Sequence, residues 1–262
     1  MSTLDLSTQT HASAAPDQGA ALSEALGISH PSLATIARMD PALAGEFAAM
    51  ARAVRDANVL SLKEQALIML AINAAVVHLN GDMVRAYIQA ALAQGASAGE
   101  IREVLQLTSV LGIHGTLPGT LILTEAEGGL EAMQTSAAPE RRARAELAQA
   151  NFEAKRGPMT PAWVSCTYHL PDLVEAYAGF SGVPWASDHL SAQFKELIYV
   201  AIDLMPQHTH MEGTKVHMKK ARALGASDAQ INSVLQMIAL MGVQTHMLAL
   251  PILEEELARA GL

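Results

Sequence analysis

Apolar side chains recur along most of this chain at intervals of three and four residues, the spacing of one face of an α-helix. Ile231, Val234, Leu235 and Ile238 show this pattern clearly. The alternation of apolar and polar residues that is typical of half-buried strands forms no convincing series. The pattern therefore predicts an all-α protein.

Helix boundaries are marked by capping signals. Ser61 and Ser97 each precede an apolar run and are each followed three residues later by a glutamate, which is the signature of a capping box. Ser227 is followed in the same way by Gln230. Gly95 ends the run before Ser97, and glycine readily adopts the left-handed conformation at a helix end. The predicted helices of the first half span residues 60–77, 83–94 and 98–112.

The second half of the chain repeats the first at a constant offset of 130 positions, without a gap. His78 corresponds to His208, and the tripeptide Gly-Ala-Ser at 95–97 occurs again at 225–227. Chance is a poor explanation for an ungapped match of this extent, and the period is longer than the roughly 20–50 residues of solenoid repeats. The repeat predicts a duplicated domain, with two similar helical halves in one chain.

The chain is expected to consist of four segments. They are a flexible N-terminal tail (1–25), a first helical repeat (26–126), a connecting helix or linker (127–155) and a second helical repeat (156–262). The tail prediction rests on small and polar residues, which bury little apolar surface. The linker prediction rests on a charged, helix-favouring stretch.

The composition supports a helical fold in a reducing compartment. Half of the 262 residues are hydrophobic, only 4% are aromatic, and Cys166 is the single cysteine. Abundant alanine and leucine with few β-branched residues favour helix over strand. One cysteine excludes an internal disulfide and a CxxC redox pair. A cytoplasmic location is therefore expected.

The charge and hydropathy of the chain argue against nucleic acid and membrane as partners. A net charge of −9 disfavours binding to nucleic acid, which requires a basic face. No run of about 18 apolar residues is present, which predicts no membrane span. The first residues lack the basic and apolar regions of a secretory signal. The expected partner is a small-molecule substrate.

Several spaced elements together resemble a known family. The helix KELIYVAID is followed by a loop with histidines, by a histidine ahead of ALGAS, and by a helix that ends in glycine. This order resembles the carboxymuconolactone decarboxylase family, which includes the alkylhydroperoxidase D-like proteins. The resemblance covers most of residues 26–125 and 156–258. It implies an all-α fold of two such helical repeats and a homo-oligomer, either a trimer of tandem chains or a dimer.

The resemblance distinguishes two kinds of chemistry. The peroxidase branch carries C-x-x-C-x-x-x-H, and with its histidine placed on His217 the two cysteines fall on His210 and Gly213. The equivalent positions of the first half are Asn80, Met83 and Tyr87. Without thiols at these positions, peroxidase chemistry is not expected. The decarboxylase branch implies a cofactor-independent lyase for a small organic acid or lactone, in the catabolism of aromatic compounds.

The candidate catalytic residues lie close to one histidine-rich stretch. Decarboxylation requires a proton for the carbon that loses carbon dioxide, and imidazole exchanges protons near neutral pH. His217 and His210 are the predicted acid–base pair, with His208 beside them. Glu212 or Glu196 is predicted to orient one imidazole and to fix its tautomer. For His208 a structural role at the helix end is equally open.

Candidate substrate-binding residues come from both halves. Lys215 and Arg85 occupy equivalent positions and are predicted to neutralise a carboxylate. Trp163 and Trp185 are predicted to shape an apolar pocket, although core packing would explain them as well. The remaining candidates are His78, His114, Tyr87 and His246.

The two halves differ where the chemistry is expected. His210 and His217 of the second half stand where the first half has Asn80 and Tyr87, so the second half is predicted to hold the active centre. No metal is expected, but ligation by His208, His210 and His217 is an alternative because ring nitrogens bind transition metals. An isomerase or hydrolase with the same histidines, and a non-catalytic binding protein, are further alternatives.

Overall fold

A computed structural model describes residues 17–262 of the chain, and all regular elements in that range are helical. The all-α prediction is confirmed. The first seven helices are α1 (Gln18–Leu26), α2 (Pro31–Met39), α3 (Pro41–Ala57), α4 (Leu62–Ala74), α5 (Gly81–Ala93), α6 (Ala98–Ser109) and α7 (Thr116–Ala126). The others are α8 (Leu130–Ser136), α9 (Pro139–Arg156), α10 (Pro161–His169), α11 (Pro171–Gly182), α12 (Ala192–Asp203), α13 (Met211–Ala223), α14 (Asp228–Ala239) and α15 (Gln244–Ala260). Short 3-10 helices span Val110–Gly115, Val183–Trp185 and Leu240–Val243.

Local sequence signals set several of these boundaries. The Ser61 hydroxyl accepts a hydrogen bond from the Glu64 backbone N–H, and the Glu64 carboxylate accepts one from the Ser61 N–H, which closes the predicted capping box of α4. Ser97 and Glu100 form the same box at α6. Gly95 follows α5 with a φ of 80°, in the left-handed region. These three predictions are confirmed.

Helix boundaries and backbone angles recur at the offset seen in the sequence. Helices α5 and α13 begin and end 130 residues apart, and so do α6 and α14. Among the described residues, the non-glycine residues with positive φ are Leu79 at 46° and Thr209 at 44°, again at this offset. These correspondences agree with the predicted duplication, which remains an inference from the sequence.

The chain divides into two compact units that do not coincide with the predicted repeats. One comprises the described residues up to Ala57 together with Leu240–Leu262, and the other comprises Asn58–Ala239. In the first unit α15 packs against α2, and in the second unit α7 packs against α10. The last helix of each predicted half thus packs on the other half, which is why the compact division falls elsewhere.

Helix α1 begins within the segment that is expected to be a flexible tail. The first 16 residues lie outside the described range. The Asp17 carboxylate accepts hydrogen bonds from two backbone N–H groups in the first turn, as an N-cap does. Leu22 and Ala25 are buried. The segment is helical from Gln18 because it has both a cap and an apolar face.

The expected linker contributes to the core of the second unit. Helix α9 packs against α10 and α11 and buries Ala145, Ala148 and Phe152. Phe152 belongs to a cluster that includes Cys166 and Val174. The charged residues that suggested a linker occupy the other positions of α9, so the helix is amphipathic and anchored.

Two helices at the centre of the second unit support the candidate site. Helices α4 and α12 pack against each other and are apolar around most of their circumference, as expected of core helices. Helix α12 nevertheless buries one lysine and two acidic side chains, those of Lys195, Glu196 and Asp203. Buried charged groups require polar partners, so the buried polar contacts of this unit are expected around α12.

Two continuous helical stretches are long and apolar enough to cross a membrane by length and composition alone. They are Ala98–Ala126 and Asp228–Ala260. In each case 44% of the most apolar window is buried inside the fold. Partly buried helices of this kind also occur in the cores of soluble proteins, so this is weak support for a membrane span.

Candidate functional site

The loop between α12 and α13 brings two histidines together. The carbonyl of Asp203 accepts a hydrogen bond of 2.7 Å from the N–H of His210, which folds the loop back on itself. Thr209, between His208 and His210, has the left-handed backbone that such a tight reversal requires. Residues two apart do not share a helix face, but this loop places the two ring centroids 5.8 Å apart.

A third histidine joins them from the 3-10 helix after α6. The Nδ1 atom of His114 lies 2.7 Å from Nε2 of His208, and the two rings are stacked with centroids 4.9 Å apart. One of these two nitrogens must carry the proton, because a neutral imidazole has one donor and one acceptor. The His114 ring also lies 4.4 Å from that of His210. The three histidines thus form one cluster.

The cluster is built against the buried carboxyl group of Asp203. The side chain of Asp203 is only 1% exposed, and its Oδ1 lies 3.8 Å from Nδ1 of His114. Neither carboxyl oxygen accepts a hydrogen bond from any residue that the structure describes. A Cβ atom at Gly213 would collide with this carboxyl group and with the His210 ring. A larger residue at that position of α13 would therefore displace one of these two side chains.

The fourth histidine of the site, His217, is paired with a glutamate. Its Nδ1 lies 2.6 Å from Oε2 of Glu196, and since a carboxylate only accepts, the ring nitrogen donates. The Tyr199 ring packs on His217 with centroids 4.5 Å apart. The Trp185 indole N–H donates to the Tyr199 hydroxyl. This arrangement fixes one tautomer of His217 and leaves its Nε2 to exchange a proton.

Burial sets the protonation of the cluster. It lowers the pKa of His114 to about 3, with the other three histidines as further causes. It also lowers the pKa of His208 and of His210. Burial, followed by the charge of Glu196, raises the pKa of Asp203 to about 8. Near neutral pH the three rings are neutral, and Asp203 holds a proton unless a cation replaces it.

A buried ion pair holds the segment between α11 and α12. Lys195 lies 2.6 Å from Glu103 and donates to two carbonyl groups of that segment, those of Pro184 and Ser187. Glu103 accepts a hydrogen bond from the Ser187 hydroxyl. These bonds fix the position of Trp185, which supports Tyr199 and, through it, the His217 ring.

A cavity of about 110 Å³ opens beside these groups. One wall is aromatic: Trp163 packs between Phe152 and Tyr177, at centroid distances of 4.7 and 5.2 Å. Arg156 and Lys220 supply positive charge to the lining. The polar lining also includes His114, Asp203, His210, Glu212 and His217. The cavity is suited to a small organic anion with an apolar body.

Several predicted site residues lie in this cavity or beside it, and others do not. Lys215 and Arg85 are exposed on α13 and α5 and are not part of the described cavity lining. Tyr87 is buried in α5, where burial raises its pKa. His78 is half-buried after α4, with the Gln207 amide 3.3 Å from its Nδ1. His246 is half-buried in α15.

Three groups of the site were not among the sequence candidates. In the sequence Asp203 looks like the polar end of an apolar helix, and Arg156 and Lys220 look like ordinary helix-surface charges, although both are half-buried in the structure. One signal for Asp203 was available, because the equivalent position of the first half holds Asn73. The change from amide to acid at this buried position lies beside a loop where Asn80 of the first half is replaced by His210. Together these two differences indicate a functional site in the second half.

Comparison with known proteins identifies the family. The model of the carboxymuconolactone decarboxylase family matches residues 171–255. The chain is 32% identical to a protein of Burkholderia xenovorans LB400 with a crystal structure, which is provisionally described as a gamma-carboxymuconolactone decarboxylase subunit. The match covers 93% of this chain and 97% of that protein, with a TM-score of 0.84. No curated protein sequence matches. The chain belongs to the carboxymuconolactone decarboxylase family.

Proposed function

We propose that this protein is a decarboxylase-type lyase that acts on a small organic acid or lactone formed in the breakdown of aromatic compounds. Family membership and the provisional description of the Burkholderia protein support a lyase-like enzyme. The observation that carries the proposal is the His217–Glu196 pair at the wall of a cavity that also contains Arg156 and Lys220. Such a site combines a proton donor with cations for an anionic substrate.

Substrate recognition follows from the two sides of the cavity. Arg156 and Lys220 are placed to bind a carboxylate, and the aromatic wall around Trp163 packs against the carbon skeleton. The Arg156 guanidinium carbon also lies 5.4 Å from the centroid of the Trp185 ring, which limits its freedom. These contacts hold the acid in one orientation, with its reacting carbon toward the histidines.

The proposed chemical step is a proton transfer coupled to loss of carbon dioxide. The bond between the reacting carbon and its carboxylate breaks, and the electron pair stays on the carbon, in conjugation with a neighbouring carbonyl group. Protonated His217 delivers the proton from Nε2 to that carbon, while the Glu196 carboxylate stabilises the imidazolium through Nδ1. His210, which also lines the cavity, serves as the second acid–base group.

A direct assay tests this proposal. The purified protein is incubated with a carboxymuconolactone, and carbon dioxide release is measured against loss of substrate. We expect equimolar release, and a rate about 10²- to 10⁴-fold lower for His217→Asn, the usual contribution of a positioned acid or base. Consumption of substrate without carbon dioxide would instead indicate an isomerase or hydrolase. Full activity of the variant would exclude His217 from the chemistry.

One observation favours a second candidate, a metal-dependent enzyme of the same site. One ligand atom from each of His114, Asp203 and His208 lies within 4.8 Å of the others. Assay of the protein before and after treatment with a chelator separates this candidate from metal-free acid–base catalysis. Restoration of a lost rate by a divalent ion would support it, and an unchanged rate would count against it.

We also propose a cytoplasmic homo-oligomer, either a trimer or a dimer. The Burkholderia protein is described as a subunit. Ile122 and Leu123 are exposed on α7, and their counterparts Ile252 and Leu253 are exposed on α15. Exposed apolar pairs of this kind suit an interface between copies. Light scattering after size-exclusion chromatography measures the mass; a monomer at micromolar concentration would contradict the proposal.

A further inference from the structure

We propose that His114, Asp203 and His208 bind one divalent first-row transition metal ion, at a position that opens toward the cavity. The inference goes beyond the proposed lyase function and does not depend on it. It rests on the geometry of the three side chains and on the unpaired carboxyl group among them.

The ligand atoms are already close enough to share an ion. Nδ1 of His114 is 2.7 Å from Nε2 of His208 and 3.8 Å from Oδ1 of Asp203. Metal–nitrogen and metal–oxygen bonds are about 2.0–2.2 Å long, so two ligands of one ion lie roughly 3–4 Å apart. All three ligand atoms lie within 4.8 Å of one another, so movements of about 1 Å would bring them to these distances.

Asp203 provides the second, independent observation. Its carboxyl group is 1% exposed, points into the cluster, and receives no hydrogen bond from the described part of the protein. Burial of a polar group without a partner is costly, and a bound cation offsets that cost. Packing alone does not require the acid, since Asn73 is buried at the equivalent position and donates to the Met69 carbonyl of its own helix.

The donor set defines the class of metal. Two imidazole nitrogens and one carboxylate oxygen suit zinc, iron(II), manganese(II) and cobalt(II) better than calcium or magnesium, which prefer oxygen ligands. His114 and Asp203 line the cavity, so the remaining coordination positions face the space where a small anion would bind. His210, with its ring 4.4 Å from that of His114, is in place as an additional ligand.

These ligands differ from the His208, His210 and His217 set considered from the sequence. His217 is engaged by Glu196 at 2.6 Å, while His114 reaches His208 from a distant part of the chain. The sequence predicts His114 only as a substrate-binding residue, because no spacing rule relates residues 94 positions apart. The fold, and not the local motif, assembles the site.

Metal titration tests the proposal on the full chain. Protein freed of metal by dialysis against a chelator is titrated with Zn²⁺ by calorimetry and with Co²⁺ by visible absorption, which reports coordination geometry. We expect one ion per chain and a higher Tm with Zn²⁺, since a ligand that binds only the folded state stabilises it. No saturable binding below about 1 mM of either ion would overturn the proposal.

Two variants copy residues of the other half and are therefore expected to fold. Asp203→Asn copies Asn73, and His114→Gln copies Gln244. Each should weaken Zn²⁺ binding by at least about 100-fold, because changes even to outer partners of a metal ligand cost about 10- to 100-fold. His189→Ala, which removes an exposed histidine outside the cluster, is the matched control and should bind normally. Equal binding by all three variants would overturn the proposal.

The two proposals fail in distinguishable ways. Absence of carbon dioxide release with stoichiometric Zn²⁺ bound would refute the lyase and leave the metal site intact. Carbon dioxide release that is unchanged in Asp203→Asn, together with a lack of metal binding in the wild type, would refute the metal site alone. Binding and catalysis are therefore measured on the same preparations.

Discussion

Nδ1 of His217 lies 2.6 Å from Oε2 of Glu196, and the carboxylate belongs to a buried helix while the imidazole faces the cavity. The negative charge therefore acts on a ring that can still reach a substrate. In such a pair the carboxylate fixes the tautomer of the imidazole and stabilises its protonated form. The pair is the part of the site on which the proposed proton transfer depends most directly.

Glu196→Gln tests the pair without removing the imidazole. The amide keeps an acceptor for Nδ1 but loses the negative charge that stabilises the imidazolium. We expect kcat for decarboxylation to fall about 10- to 100-fold, less than the full effect of losing a general acid. Steady-state kinetics measure kcat and KM separately, and the effect should fall on kcat because the charge acts on the proton transfer and not on substrate binding. A normal kcat would refute this positioning role.

Gly213→Ala tests the close approach of α13 to the cluster. The added methyl group would collide with the Asp203 carboxyl group and the His210 ring, so metal binding and activity should both be lost. The control is Gly179→Ala in α11, where a Cβ meets nothing within 4 Å. The control should gain up to about 1 kcal/mol in the free energy of unfolding, since alanine favours helix over glycine. Isothermal titration and chemical denaturation provide the comparison.

Lys195→Met tests the buried ion pair. The variant leaves the Glu103 carboxylate buried without its cation, and we expect a loss of about 3–5 kcal/mol in the free energy of unfolding. Lys63→Met is a matched control, because Lys63 lies 2.7 Å from Glu100 at a position that is 36% exposed. That variant should lose less than about 1 kcal/mol. Equal losses in urea denaturation would show that burial does not set the strength of the pair.

The surroundings of His169 predict that stability depends on pH at a position outside the candidate site. Burial, followed by the charge of Arg141, lowers its pKa, while Glu127 opposes the shift. The unfolded chain therefore binds the proton more readily than the folded one, and this contribution to stability is lost as pH falls below about 6.5. His169→Gln should lose less stability than the wild type between pH 7.5 and pH 5. Identical losses by urea denaturation at these two pH values would contradict the assignment.

The fold follows from signals that are local in the sequence. Ser61 with Glu64 and Ser97 with Glu100 specify helix starts, and Gly95 specifies an end, because caps act within four residues. Helix α1 was missed because a short amphipathic segment beside a polar tail gives a weak pattern. Its order depends on packing against α2 and α3, which periodicity cannot reveal.

The site was only partly predictable, because some of its residues meet only through tertiary packing. His208, His210 and His217 stand out because histidines are few and clustered in the chain. His114 and Arg156 meet them only through tertiary packing, and spacing along the chain carries no information on such contacts. Asp203 was hidden at the end of an apolar helix, although comparison with Asn73 would have singled it out. Differences between the two predicted halves are thus a more useful guide here than residue type alone.

The packing of α15 against α2, and of α7 against α10, has a consequence for how the chain can be divided. A cut between α8 and α9 would give two fragments, each deprived of a helix that its own members pack against. Neither fragment should fold alone, whereas co-expression should restore the native assembly by complementation. The peptide connection between the halves would then be dispensable, and the protein would behave as an obligate heterodimer of its own fragments.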